Sequence, residues 1–154
     1  MTKVHIIYAS TSGHTEYVVD VLELLWKDEG VEVSRQKAEE AVPEDLLQGD
    51  VLVLAASTWN TGSIEGQLNP HMHFLLKEKA KDVDLKGKKC ALIALGDQRY
   101  YYTARAGEHL RAFIDSHSGK IFSEQFTLLN EPFGKEEKIQ KWGKTFLSAL
   151  KKIK

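Results

Sequence analysis

At 154 residues the chain suits one compact domain, residues 1–154, large enough to bury a core without disulfides or metals. Hydrophobic residues at 42% and charged residues at 28% are ordinary for a globular protein, and a net charge of -1 with a pI of about 6.6 excludes bulk-charge affinity for nucleic acid or an anionic membrane. Cys90 is the only cysteine, so no internal disulfide is available, and no stretch has signal-peptide or membrane-spanning form; a cytoplasmic location is expected.

The charge is uneven along the chain. Acids dominate from Glu16 to Asp50, and lysines dominate from Lys135 to Lys154. This asymmetry either orients a charged partner or marks solvated helix faces.

In chain order, Val4–Tyr8 reads as a short strand and Thr15 to Glu29 as a helix with Val18, Val21, Leu22 and Leu25 on one face, stopped by Gly30. Val31–Arg35 is a second strand, and Pro43–Leu47 suggests a short turn of helix. Val51–Ala56 is continuously apolar rather than alternating, which predicts a strand buried on both faces in a parallel sheet; Cys90–Leu95 repeats that character. Leu68 to Lys79, with Pro70 in its first turn, and Ala104–Ser116 are predicted helices. Ile121–Leu129 is expected as one continuous extended segment, and Ile139, Trp142, Phe146, Ala149, Leu150 and Ile153 give an amphipathic final helix. Alternation of this kind predicts an α/β fold: a five-stranded parallel doubly wound sheet with helices on both faces. Ligands of such sheets bind beyond the carboxyl ends of the strands, so the loops after Tyr8, Ala56 and Leu95 carry the interest.

The first loop, Ser10-Thr11-Ser12-Gly13-His14-Thr15, sets four hydroxyls and a glycine at a helix N-terminus, where free N–H groups and the helix dipole attract anions. It has neither the lysine of a Walker A loop nor a GxGxxG pattern. Neutral donors of this kind suit one terminal phosphate monoester; the alternative is a hydroxyl-rich helix cap without a ligand. In the second loop, Ser57-Thr58-Trp59-Asn60-Thr61-Gly62, the tryptophan either covers something flat or folds back on the protein. In the third, Gly96 to Tyr102, three consecutive tyrosines cannot all face a core, and Asp97 can accept from a bound ring.

These three loops resemble those of the flavodoxins. Ser10 to Thr15 fits the family's Thr/Ser-x-Thr/Ser-Gly-x-Thr phosphate loop, Trp59 the tryptophan of its second loop, and Gly96-Asp97-Gln98-Arg99-Tyr100 its Gly-Asp-x-x-Tyr. The resemblance runs along the whole chain, and the unbroken Ile121–Leu129 stretch points to the short-chain type. It implies non-covalent flavin mononucleotide (FMN) and an electron carrier without a substrate reaction of its own. Ser10, Thr11, Ser12, Gly13, His14 and Thr15 would hold the phosphate. Trp59 and Tyr100 would cover the two faces of the ring, and Ser57, Thr58, Asn60, Thr61 and Gly62 belong to the same binding segment. Leu95, Gly96, Asp97 and Ala104 would line the pyrimidine end with Tyr102 nearby. Partners would be a flavodoxin reductase and an electron-acceptor enzyme, with the chain itself a monomer.

Three features depart from the family pattern. His14 stands where Asn is frequent; a protonated imidazole there would favour a phosphate dianion, and an exposed neutral one would not. Asn60 stands where many members have Gly, so a backbone flip toward the reduced ring should be costlier. The near-neutral charge is unlike the acidic surface usual in the family. The same residues leave two other readings: an FMN module dedicated to one reductase or oxidoreductase, as in diflavin reductases, and a non-redox domain such as a signal receiver. The latter would want clustered acids at the strand ends, where this chain carries hydroxyls. No metal site is expected, because His71 and His73 are two apart and diverge on a helix.

Overall fold

The computed structural model describes residues 2–10, 13–61, 64–96 and 105–153, with the backbone alone at 59–61 and 64–66. Strand β1 (Lys3–Ala9) leads into α1 (His14–Asp28), then β2 (Glu32–Lys37) and two short 3-10 turns (Ala38–Glu40 and Pro43–Leu47). Next come β3 (Val51–Thr61), β4 (Ile64–Leu68), α2 (Pro70–Phe74) continued by a wider turn over Leu75–Lys79, and β5 (Lys89–Gly96). The chain closes with α3 (Ala106–Ser116), β6 (Lys120–Ile121), β7 (Phe126–Leu129) and α4 (Glu136–Lys152). All strand pairs are parallel except the β3–β4 hairpin, and the order is β2-β1-β3-β5, with β6 and β7 both on the far side of β5. The order reverses between β1 and β3, the switch point at which doubly wound sheets bind ligands.

Continuous apolar runs follow from this arrangement, because successive side chains of a strand leave on opposite faces. From β1, Val4, Ile6 and Tyr8 join Val51, Val53 and Ala55 of β3 and Ala91, Ile93 and Leu95 of β5 under α1 and α4. The intervening Ile7, Ala9, Leu52, Leu54, Ala56, Cys90, Leu92 and Ala94 meet Met72, Leu75 and Leu76 and the α3 residues Leu110, Phe113 and Ile114 on the opposite face. α1 ends at Asp28 with Glu29 as its C-cap, and Gly30 takes the left-handed conformation (φ 83°) expected after a helix.

The structure corrects three sequence expectations. Residues 57–61 are not loop: β3 runs on to Thr61 and pairs with β4, with a register shift between Trp59 and Thr61. The helix expected from Leu68 begins at Pro70, since Leu68 ends β4 and the Asn69 side chain caps the helix by accepting from the His71 N–H at 2.9 Å. The expected single strand Ile121–Leu129 is broken into β6 and β7. Between them, the Glu124 carbonyl accepts from the Trp142 indole at 2.8 Å, and the Gln125 amide lies against Gly107 of α3, where a Cβ would collide with it. The Trp142 side chain of α4 and the close approach of α3 at Gly107 thus engage Glu124 and Gln125, while the Phe122 N–H still donates to the Cys90 carbonyl of β5 at 3.2 Å.

Candidate functional site

Parallel pairing brings three strand ends to one edge. Ala9 pairs with Ala56 and Ser57 with Leu95, so the segments after Ala9, Ala56 and Leu95 leave the sheet side by side.

The first segment is built around Gly13, whose φ of 87° places it in the left-handed region that glycine enters freely. Gly13 is the N-cap of α1, and its carbonyl takes the first helical bond from the Tyr17 N–H at 3.0 Å. The Ser10 hydroxyl reaches back to accept from the N–H groups of Gly13 (3.1 Å) and Glu16 (3.4 Å), doing the work of a cap that Gly13 cannot do. The N–H groups of His14 and Thr15 begin the helix and have no partner within it. Thr15 is only 1% exposed, and its Oγ1 is the one buried side-chain polar atom without a hydrogen-bond partner among the described residues. A buried hydroxyl left unbonded destabilises by about 1–3 kcal/mol, so a native chain retains one where a ligand completes it. The neighbouring Glu16 carboxylate is occupied by the Tyr8 hydroxyl, which donates to it at 3.1 Å.

His14 is half-buried, with its ring edge-on to Phe133 at 5.5 Å; Phe133 also meets Tyr17 at 5.0 Å, and the Tyr17 hydroxyl donates to Glu136. This brace comes from the segment before α4. Sequence reasoning missed it, because nothing in the local pattern of residues 130–135 points to α1.

In the second segment, the Ser57 carbonyl and hydroxyl accept from the backbone and side-chain nitrogens of Asn69 at 3.1 and 3.2 Å. The Thr58 hydroxyl accepts from the Ala106 N–H at 3.0 Å and so caps α3. Both hydroxyls keep their own proton to donate. Sequence reasoning reads Ala106 only as part of an apolar helix face and does not reach Asn69, although Asn before Pro70 is a recognisable helix-start signal. The backbone of Trp59, Asn60 and Thr61 lies in the hairpin.

In the third segment, Leu95 is buried and Gly96 ends β5, its carbonyl accepting from the Asn130 N–H at 2.7 Å. Thr11, Ser12, Gly62, Asp97, Tyr100, Tyr102 and Ala104 lie outside the described residues, as do the side chains of Trp59, Asn60 and Thr61. His71 and His73 are both exposed, and among the described residues no group of three His, Cys, Asp or Glu side chains converges as a metal site would require.

The family model for flavodoxin matches residues 6–142. The chain belongs to the flavodoxin family. A probable flavodoxin 2 of Bacillus subtilis (strain 168) is 30% identical over 138 residues, 89% of this chain and 88% of the relative. A flavodoxin of Maridesulfovibrio salexigens is 25% identical over 144 residues, covering 93% and 95%. Among solved structures, oxidised flavodoxin 2 from Bacillus cereus superposes with a TM-score of 0.86 at 26% identity, covering 95% of this chain and 98% of that one. Like its family, and of the short-chain type, the chain binds FMN non-covalently and acts as an electron carrier rather than turning over a substrate. Among the described residues, no helix is long and apolar enough to cross a membrane.

Proposed function

We propose that the chain shuttles electrons as a cytoplasmic monomer between a flavodoxin reductase and an electron-acceptor enzyme, with FMN held across the three strand ends. In this reading Ser10, Thr11, Ser12, Gly13, His14 and Thr15 hold the phosphate. Trp59 and Tyr100 cover the ring, Ser57, Thr58, Asn60, Thr61 and Gly62 border it, and Leu95, Gly96, Asp97, Tyr102 and Ala104 line its pyrimidine end. Bound FMN supplies the electron chemistry; the protein binds it, orients it and controls water and hydrogen bonding around it.

The observation that carries the reading is the orphaned Thr15 hydroxyl beside two helix-start N–H groups. The donor set fits a terminal phosphate: hydroxyls and amides donate, the helix dipole favours the anion, and no metal is needed.

Thr15→Val provides the test, because it removes the hydroxyl at nearly constant volume. FMN affinity, read by quenching of flavin fluorescence, should fall about ten- to hundredfold, while the affinity for riboflavin, which lacks the phosphate, changes little. The same variant should leave the apo protein as stable as the wild type or slightly more so, since the unsatisfied group is gone. Wild-type FMN affinity in Thr15→Val would remove the phosphate from this loop.

A further inference from the structure

The far edge of the sheet lies apart from the phosphate loop and carries an open strand. β7 pairs with β5 alone, so among the described residues its other side is an unpaired edge. The Asn130 N–H donates to the Gly96 carbonyl at 2.7 Å, and the backbone groups of alternate residues in a strand turn the same way. Phe126 and Leu128 therefore face β5, while Thr127 and Leu129 face outward. The Leu129 carbonyl accordingly accepts from the Lys135 ammonium at 2.7 Å. Thr127 is exposed, and its N–H and carbonyl stand on the open edge.

Beside this edge a groove runs between β7 and α4. Trp142, 5% exposed and with its indole held by the Glu124 carbonyl, gives the groove an apolar floor, and Gln125, Thr127 and Thr145 border it. Lys138 and Lys141 stand on its α4 side; both are exposed, and among the described residues neither has an ion-pair partner. Glu124, before the start of β7, is the one acid among the described residues that line it. The exposed Lys144, Lys151 and Lys152 continue the positive charge along α4.

Unpaired edges recruit strands, and proteins guard them with charge, lysine above all. A guard of one sign repels basic strands and attracts acidic ones. Alternate side chains of an added strand leave on one face about 6.6–7 Å apart, and Lys138 and Lys141 are about 4.5 Å apart along the axis of α4. Flexible lysine stems take up the difference, so two carboxylates of one strand can be met together.

We propose that the open edge of β7 takes an extended acidic segment of a partner protein as an added strand, with Lys138 and Lys141 pairing its carboxylates. Main-chain hydrogen bonds supply the docking, and the two lysines supply the choice of sequence. Leu129 pairs with Gly96, so the added strand ends beside the third strand-end segment and holds a partner there without entering it. The inference draws on the shuttle reading only for the existence of protein partners, and not on the phosphate assignment.

The test uses the FMN-loaded protein and a short, blocked, fluorescently labelled peptide of alternating glutamate and valine, with binding read by anisotropy at low salt. The acidic peptide should bind, its glutamine counterpart about tenfold more weakly, and its lysine counterpart not at all. Methylating the backbone nitrogens that face the edge should abolish binding, because strand addition needs those donors. On the protein, Lys138→Glu combined with Lys141→Glu should remove the preference for acid. Thr127→Pro should abolish binding, since it removes an N–H that the ladder to β5 does not use; an unchanged flavin spectrum checks its fold. If that variant fails to fold, the methylated peptide on the wild type decides the same point. Equal binding of the acidic and glutamine peptides, or acidic binding indifferent to methylation, overturns the proposal. So does retention on phosphatidylserine vesicles with no peptide binding, which would make α4 a membrane-facing surface. Each of these results leaves the FMN assignment in place.

Discussion

At the scale of single residues, two buried acids link the stability of the protein to alkaline pH. Tyr8 lies under α1 with its hydroxyl on Glu16; burial first, and then that carboxylate, push its phenol from the ordinary 10.0 up to about 12. The Arg35 guanidinium lies 5.7 Å from the Tyr8 ring centre and opposes this only partly. Cys90 is buried in β5, and burial pushes its thiol from 9.0 up to about 11. In each case the folded state favours the protonated form. The contribution is therefore whole below the unfolded value and lost as the pH climbs through the folded one. Stability should decline between about pH 9 and 12, by roughly 2 kcal/mol for each group. Urea unfolding across this range checks it: Cys90→Ala should flatten the part between pH 9 and 11, and Tyr8→Phe the part between pH 10 and 12. Profiles that keep the wild-type slope in both variants would show that the acids act elsewhere.

At the scale of elements, the seam between α1 and α4 closes one face of the sheet. Trp26 stacks on Phe146 at 4.4 Å, and its indole donates to the Gly143 carbonyl at 3.1 Å. Gly143 is what lets the helices approach: a Cβ there would fall 2.6 Å from Leu25 Cδ2 and 2.9 Å from Leu22 Cδ2. Phe146→Ala should lower unfolding free energy by about 3–5 kcal/mol with an unchanged denaturant slope, because the stacked ring is fully buried and its neighbours are pinned. Both helices were legible from their apolar period. Their contact was not, since a period shows which face is buried but not what covers it. The extension of β3 was illegible for a related reason. Thr58, Trp59, Thr61 and Ile64 are residue types that strands favour, but Asn60, Gly62, Glu65 and Gly66 between and after them are types that strands avoid, and the pairing and the Asn69 brace decide the outcome. The final strand misled in the opposite direction: residues 122–125 read as extended, but Glu124 and Gln125 meet Trp142 and Gly107 instead of continuing the ladder.

At the scale of the whole molecule, the site exists only because β1, β3 and β5 end together. FMN should therefore act as a fold-wide ligand, raising the stability of the native state by RT ln(1 + [L]/Kd), about 2.7 kcal/mol at a hundredfold excess over Kd. Thermal melts of the apo protein should climb steadily with added FMN and much less with riboflavin at equal concentration. Melting temperatures indifferent to both would mean that neither ligand prefers the folded chain. The lysine-rich α4 and the acid-rich α1 stand side by side across the seam, so a near-neutral total conceals two surfaces of opposite sign.

The sequence by itself determined the α/β class, the alternation of strands and helices, and the family, because continuous apolar strands and glycine-bearing loops at their ends are local signals. It also determined which residue types the phosphate loop offers. Only the tertiary structure decided that Thr15 is buried with its hydroxyl unsatisfied, that Ser57 and Thr58 are held by Asn69 and Ala106, and that Phe133 fixes His14. Those facts depend on residues from 12 to 119 positions apart in the chain, and no local pattern carries a contact that only the closing of the sheet creates.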